Sequence, residues 1–567
     1  MNRAIFFCGT LRGVLIGVLF CLTAVPGFAA EHPPERSLNM RIGVLNPPSS
    51  LNYFSATDIW SRKILGFFQM PLFVRDPVDG KRAPWLAADA PEIGHDPYTV
   101  TVTLRDARWN DGSPVTAGDL AFTVKVIQEF RVPAYEERWR VVRKIEVLDA
   151  KTIRFTLSEP SSEFLERALF TGFVQKKEWQ PVVDSSRGSD NPLAELLHFQ
   201  PKKTASNGPF YLYQYKKPYF IVLNKTPGFF AAHLKMAGPH PGPHMDSLIF
   251  DFHPTAEKAL SELKRGEIDF FWGDVPLDDL EPLKKNPKIS IFTTQRKGYD
   301  YLAFNLQHPP FNDPAFRRAV ALLIDRKEMI KDALKGNGVP AYSVIPPSDK
   351  AWLNPRMPVF GEGLSRRDRV KEAKEVLARA GYAWSKEAWV LPNGNQLKKI
   401  ELLTTCAGYK PYRMTASLLI KKWLAGIGIA VDVRMRPLGT VIQRLTGRSY
   451  DLALLGWGHL PDDPGYLSTF FGSQQAGPGG RNYTGFKNRT FDDLADRAMR
   501  ETNFEKRRKL VFKMQEIIAQ EAPSISLYSI HIIEAANTGR FSGWVERPGG
   551  IGNLWSFLSL QPRSRPK

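Results

Sequence analysis

Few side chains in this sequence stand in a pattern that could do chemistry. Four histidines, His233, His240, His244 and His253, fall in one short stretch. A metal site would need their nitrogens to converge and be held by a second layer of partners. The intervening Ala237-Gly-Pro-His-Pro-Gly-Pro-His244 reads as a turn, so His240 and His244 are expected on an exposed loop and no metal is expected. The carboxylate pairs Asp278-Asp279, Asp462-Asp463 and Asp492-Asp493 are neighbours in sequence, and neighbouring side chains point in different directions, which argues against acid/base teamwork. Cys406 sits in Thr404-Thr-Cys-Ala-Gly408 without a local base and reads as an inert small apolar residue. The chain lacks a Gly-x-Ser-x-Gly elbow, a His-Glu-x-x-His pair, a P-loop and a dinucleotide-binding glycine motif. No enzyme and no cofactor is predicted, and a secreted hydrolase would lack its nucleophile.

The elements that must position any site are easier to read. Tyr98–Arg105, Thr152–Leu157 and Tyr219–Leu223 alternate as strands do. Helices are predicted from Asp313-Pro314 to Ile324, from Arg366 to Ala380 before Gly381, from Tyr412 to Leu424, and from Asn503 to Gln520 before Pro523. Ile429–Met435 and Asp451–Gly456 read as strands between helices. A strand-rich first half and an alternating second half predict an α/β fold of two lobes with a cleft between them.

The chain has 567 residues, enough for three or four domains with sizeable cores. Arg3 and Arg12, the apolar run Gly13–Val25 and the small residues of Pro26-Gly-Phe-Ala-Ala30 describe a cleavable signal peptide over residues 1–29. Phe20 before Cys21 spoils a lipoprotein box. Removing that segment lowers the formal charge from +19 to +17 and leaves Cys406 without a disulfide partner. The basic residues are scattered pairs such as Lys202-Lys203, Lys421-Lys422 and Arg507-Arg508, so nucleic acid is not expected as a partner.

Several segments in order resemble one family. Leu104-Arg-Asp-Ala-Arg-Trp-Asn-Asp-Gly-Ser-Pro-Val-Thr-Ala-Gly-Asp119 resembles a strand–turn–helix unit of the family 5 extracellular solute-binding proteins, the peptide- and nickel-binding receptors of ABC importers. Asn207-Gly-Pro-Phe-Tyr211, Gly266-Glu-Ile-Asp269, Leu302-Ala-Phe-Asn-Leu306, Pro310-Phe-Asn-Asp-Pro314, Gly426-Ile-Gly428, Tyr450–Trp457 and Phe491-Asp-Asp-Leu494 are similar to later family segments. The resemblance implies a periplasmic-binding-protein fold with an extra inserted domain. Domain I would combine residues 37–70, 200–295 and 524–562, domain II would be 71–199, and domain III would be 296–523, with a hinge near Arg296-Lys297 and Pro523. It further implies a monomeric periplasmic protein that captures peptides or peptide-like solutes and delivers them to a permease and ATPase of the inner membrane. A non-peptide solute (metal chelate, sugar or opine) and a chaperone role are the alternatives.

The same resemblance implies a ligand-facing set. Peptide-binding members place an aspartate three positions after the tryptophan of the Gly-Trp strand, where it grips the peptide's amino group. Here Trp457-Gly458-His459-Leu460 puts leucine there, with Asp462 and Asp463 following. Either Asp463 takes over the grip or the ligand lacks a free amine. Tyr409, Tyr412 and Arg413 fall on a second ligand-facing segment, with Arg413 able to pair with a carboxylate. Tyr53 and Thr57 fall on the first cleft loop, and Trp457 is expected to line the cleft.

Overall fold

The computed structural model describes residues 38–76, 80–234, 242–406 and 408–563. The expected signal peptide and His240 lie outside them, as does the side chain of His233. Among the described residues no helix is long and apolar enough to cross a membrane.

One twelve-stranded mixed sheet organises the protein. Its central member is the long strand Ser524–Asn537, nearly all of it buried. The first part of that strand pairs with Tyr299–Phe304, with Leu302 opposite Ile525. Its second part pairs with Ile289–Gln295, with Gln295 opposite His531. On one side of the spine lie Leu452–Trp457, Ile400–Thr405 and Val431–Arg436; on the other lie Phe270–Phe271, Asn39–Val44 and Ser247–Phe252. The protein is a mixed α/β fold of two lobes that share this strand. The chain passes between them at Arg296-Lys297-Gly298 and again inside the spine between Tyr528 and His531, beyond Pro523.

A separate four-stranded antiparallel sheet lies within residues 92–157. Tyr98, Val100 and Val102 turn inward while Thr103 is exposed, the alternation the sequence predicts. The Asp111-Gly112 turn leads to the helix Ala117–Phe130, whose start is a reciprocal capping box. Thr116 N donates to Asp119 Oδ2 at 2.9 Å while Asp119 N donates to the Thr116 hydroxyl. Asp313 caps its helix as predicted, and Ser365 and Asn503 cap two later ones.

Part of the basic charge is internal. Arg317 donates to the carbonyls of Glu521 and Phe311, Arg326 to those of Ala341 and Ser526, and Arg369 to that of Ile324. These buried guanidinium groups satisfy carbonyls that would otherwise be left without donors.

The hinge is tied on both sides. Ser529 Oγ donates to Gly298 O at 2.7 Å, Leu460 N to Lys297 O at 2.6 Å, and Ser348 Oγ to Arg296 O at 2.9 Å. A Cβ on Gly298 would sit 1.9 Å from the carbonyl oxygen of Trp457, a backbone atom that cannot swing away. Gly298→Ala is therefore expected to cost about 2 kcal/mol or more, the upper range of overpacking, and to lower the urea midpoint clearly.

Candidate functional site

The lobes touch across the mouth of the cleft. Ser162 Oγ donates to the carbonyls of Ala498 and Met499 at 3.2 and 3.0 Å, and Arg500 pairs with Glu159 at 2.7 Å. Behind these contacts, His459 on the loop after Leu452–Trp457 faces Lys297 and Asp462 of its own lobe. It also feels Lys63 and Arg62 on the helix Ile59–Leu65 of the other lobe. Loss of water and these cations hold its imidazole below the usual histidine range. The Lys63 ammonium lies over two indoles that meet edge to face, 4.1 Å from the Trp272 ring and 4.7 Å from Trp60. Burial lowers its ammonium to about 8 against the pull of Glu534 and Asp274, and burial raises Glu534 to about 7.

The residues expected to face ligand separate into two groups. Gly458 and His459 lie on the loop after Leu452–Trp457, whereas Tyr53 is buried with its hydroxyl donating to Gly172 O. Tyr53 stacks on Tyr135 with ring centres 4.8 Å apart and lines a cavity of about 340 Å³. Gly458 is exposed, and His459 keeps part of its surface open to solvent while its ring is crowded by the surrounding protein. Tyr412 is half-buried against Arg296, and Tyr409 is exposed with Lys410 over its ring. Thr57 is exposed just before the helix-capping Asp58.

The others are engaged in the structure itself. Arg413 is buried and donates to Asp300 at 2.8 Å, so its carboxylate partner is internal. That pair raises the Arg413 guanidinium above its ordinary value despite burial. Gly456 makes room for it, since a Cβ there would lie 2.0 Å from Asp300 Oδ1. Trp457 stacks on Phe470 at 3.9 Å with nearly parallel rings, which makes it a packing residue more than a cleft wall. Leu460 is 3% exposed and belongs to an apolar cluster with Tyr299, Tyr466 and Phe470. Asp463 is 2% exposed and both its oxygens are held by Arg507, which is itself buried and donates to Ala498 O. It offers no oxygen to a ligand amine. Arg507 was visible in the sequence only as half of a basic pair.

Histidine chemistry is likewise structural. His253 is buried, with Nε2 2.6 Å from Glu262 and Nδ1 3.0 Å from the Asp251 carbonyl. His244 is half-buried rather than exposed. No cluster able to hold a metal occurs among the described residues.

Residues 81–478, well over half of the sequence, match the bacterial extracellular solute-binding proteins, family 5 (middle). The chain belongs to this family. Among curated relatives it is 24% identical to the oligopeptide-binding protein AppA of Bacillus subtilis, over 87% of each chain. It is 23% identical to the glutathione-binding protein GsiB of Escherichia coli, over 96% of this chain and 97% of that one. Its fold is also similar to that of NikZ from Campylobacter jejuni, solved in complex with Ni(L-His), with a TM-score of 0.72 and 20% identity over 92% of this chain and 99% of that one. Members of this family are solute-binding proteins.

Two expectations follow. Asp349 is pushed up to about 7 by burial and then by Asp462, against the opposing pull of Lys297. A carboxyl raised in this way adds stability below its unfolded value, and that stability is lost as pH rises through the folded value. Asp349→Asn should match wild type near pH 4 and exceed it in urea midpoint at pH 8. Asp463→Asn should cost about 3–5 kcal/mol, because Arg507 is left buried without its counter-charge. Urea unfolding of the variant and of the Asp463→Asn, Arg507→Met double variant measures this.

Proposed function

We propose that this protein captures a peptide-like solute between its lobes and presents the closed form to a permease and ATPase in the inner membrane. It would act as a monomer on the periplasmic side, exported by the N-terminal signal peptide. The observation that carries this reading is the direct contact of two lobes built on one shared strand, Ser162 with the carbonyls of Ala498 and Met499 and Glu159 with Arg500. Groups from two lobes that meet around one gap bind a solute only when the lobes are together, so ligand shifts the population towards closure. The oligopeptide- and glutathione-binding names of the relatives support peptide-type ligands. On this reading the ligand-facing set is Tyr53, Trp60, Lys63, Trp272, Tyr412, Gly458 and His459. Division between domains I, II and III is proposed as at residues 70, 199 and 295, with the last crossing inside the spine strand.

One observation favours a second reading, an anionic solute that is not a peptide with a free amino end. Three carboxylates near the gap already have a cation: Asp462 has Lys297, Asp274 lies 3.6 Å from Arg296, and Glu534 lies within the field of Lys63.

Native mass spectrometry of the protein purified from its host, with small-angle scattering before and after ligand removal, tests the capture reading. A co-purified solute and a smaller radius when it is bound are expected; an unchanged radius with confirmed binding overturns the hinge. Free and N-acetylated forms of a bound peptide are expected to agree within a factor of about three, whereas a gripped ammonium would be worth several kcal/mol. Isothermal titration of the two forms decides it.

A further inference from the structure

The basic charge that is not internal is gathered on one edge of the second lobe. Residues 366–436 hold 15 Lys and Arg against six Asp and Glu, a net +9 of the formal +19 in an eighth of the chain. Twelve of those cations are exposed, against three of the acids. Arg434, Lys422 and Arg379 each have an ion-pair partner. Lys398, Lys399, Lys421 and Arg436 form no ion pair among the described residues.

The local fold explains why these cations share one surface with apolar side chains. The helix Pro411–Ala425 connects the parallel strands Ile400–Thr405 and Val431–Arg436, and the second of these is the edge of the large sheet. Met414, Leu418, Lys421 and Ala425 are exposed at steps of three and four residues, one stripe along the helix that no described segment covers. At one end of the stripe Cys406 N donates to Arg436 O at 3.0 Å, which brings the exposed Arg434, Met435 and Arg436 close to Tyr409. At the other end Ile400 N donates to Ala430 O at 2.9 Å, which sets Lys398 and Lys399 beside the end of the helix. The hairpin Ala383–Ser385 with Ala388–Val390 is tied to the same place, since Trp389 Nε1 donates to Ile427 O at 2.7 Å. Its Trp384 packs edge to face on Trp389 and is still 52% exposed. Five of the thirteen large apolar side chains that stand exposed among the described residues belong to this edge.

The distribution narrows the occupant. Protein partners are ordinarily met by a contiguous apolar centre with charge at its rim. Here apolar side chains stand singly between cations, over a helix, a hairpin and an edge strand. A layer of anionic headgroups fits that arrangement: each cation contributes separately, and Trp, Tyr, Leu and Met tips enter between the headgroups. We propose that the edge built from residues 366–436 docks the protein on a bilayer that carries anionic phospholipid. The face lies on the outside of one lobe and needs no solute, so it goes beyond the capture reading and does not depend on it. A protein held on the membrane meets an embedded partner at a raised effective concentration.

Flotation of the full mature protein with vesicles tests this. Vesicles of phosphatidylethanolamine with about one third phosphatidylglycerol are compared with phosphatidylcholine alone. Wild type is expected to bind the anionic vesicles at least about tenfold more tightly, and to lose most of that binding as salt rises from about 0.05 M to about 0.5 M. Lys398→Gln with Lys399→Gln should weaken binding about 25-fold, fivefold for each cation near the surface. Met414→Gln with Leu418→Gln should weaken it about tenfold. Lys202→Gln with Lys203→Gln removes as much charge from exposed positions of the first lobe and should change it by less than about twofold. All six side chains are exposed, so these variants are expected to melt with wild type. Should a pair disturb folding, Lys421→Gln with Arg436→Gln reads the same face. Equal binding to both kinds of vesicle, or equal losses from the Lys202–Lys203 and Lys398–Lys399 pairs, overturns the proposal. So does a lysine effect with no change in the Met414, Leu418 variant, which is attraction without docking. Absence of vesicle binding, with salt-sensitive retention on immobilised polyglutamate, assigns the face to an acidic protein segment and overturns it as well.

Discussion

A charge taken out of water has to meet an opposite charge or a set of dipoles, and the interior of this protein is arranged around that requirement. Asp300 and Arg413 meet beneath the Leu452–Trp457 strand, and Asp463 and Arg507 meet where the following loop crosses a helix. Arg317, Arg326 and Arg369 are spent on carbonyls inside the second lobe. Such pairs are weak evidence for stability, because desolvation offsets much of the attraction. Their effect is to fix geometry: each acid inside has one partner it cannot leave cheaply.

Much of the fold was legible because its signals are local. Thr116 and Asp119 stand three residues apart, Asp313 precedes Pro314, and Tyr98, Val100 and Val102 alternate within one strand. Helix ends and strand faces depend on neighbours that a sequence shows directly.

The site was legible only in part, for the opposite reason. Arg413 and Asp300 are 113 residues apart, and Asp463 and Arg507 are 44 apart, so each residue taken alone reads as free to bind. Trp457 looks like a cleft residue until Phe470 is seen lying parallel to it. Leu460 was expected at a ligand-facing position, and its burial in an apolar cluster gives it a packing role. Arg138 carried no pattern in the sequence; its partners, the Thr171 hydroxyl and the Tyr135 ring, appear only in three dimensions. His459 was found because it sits on a loop whose preceding strand is marked by Gly456 and Trp457.

The spine strand lies close to the end of the sequence, and it is bonded to segments that precede it by hundreds of residues: Phe270 stands opposite Ala536, and Arg540 reaches the carboxylate of Asp269. Contacts so distant along the chain make folding slow and leave it incomplete until the last stretch is available. During synthesis neither lobe can finish its sheet before residues 524–537 emerge. The order of strands thus delays compaction by topology alone.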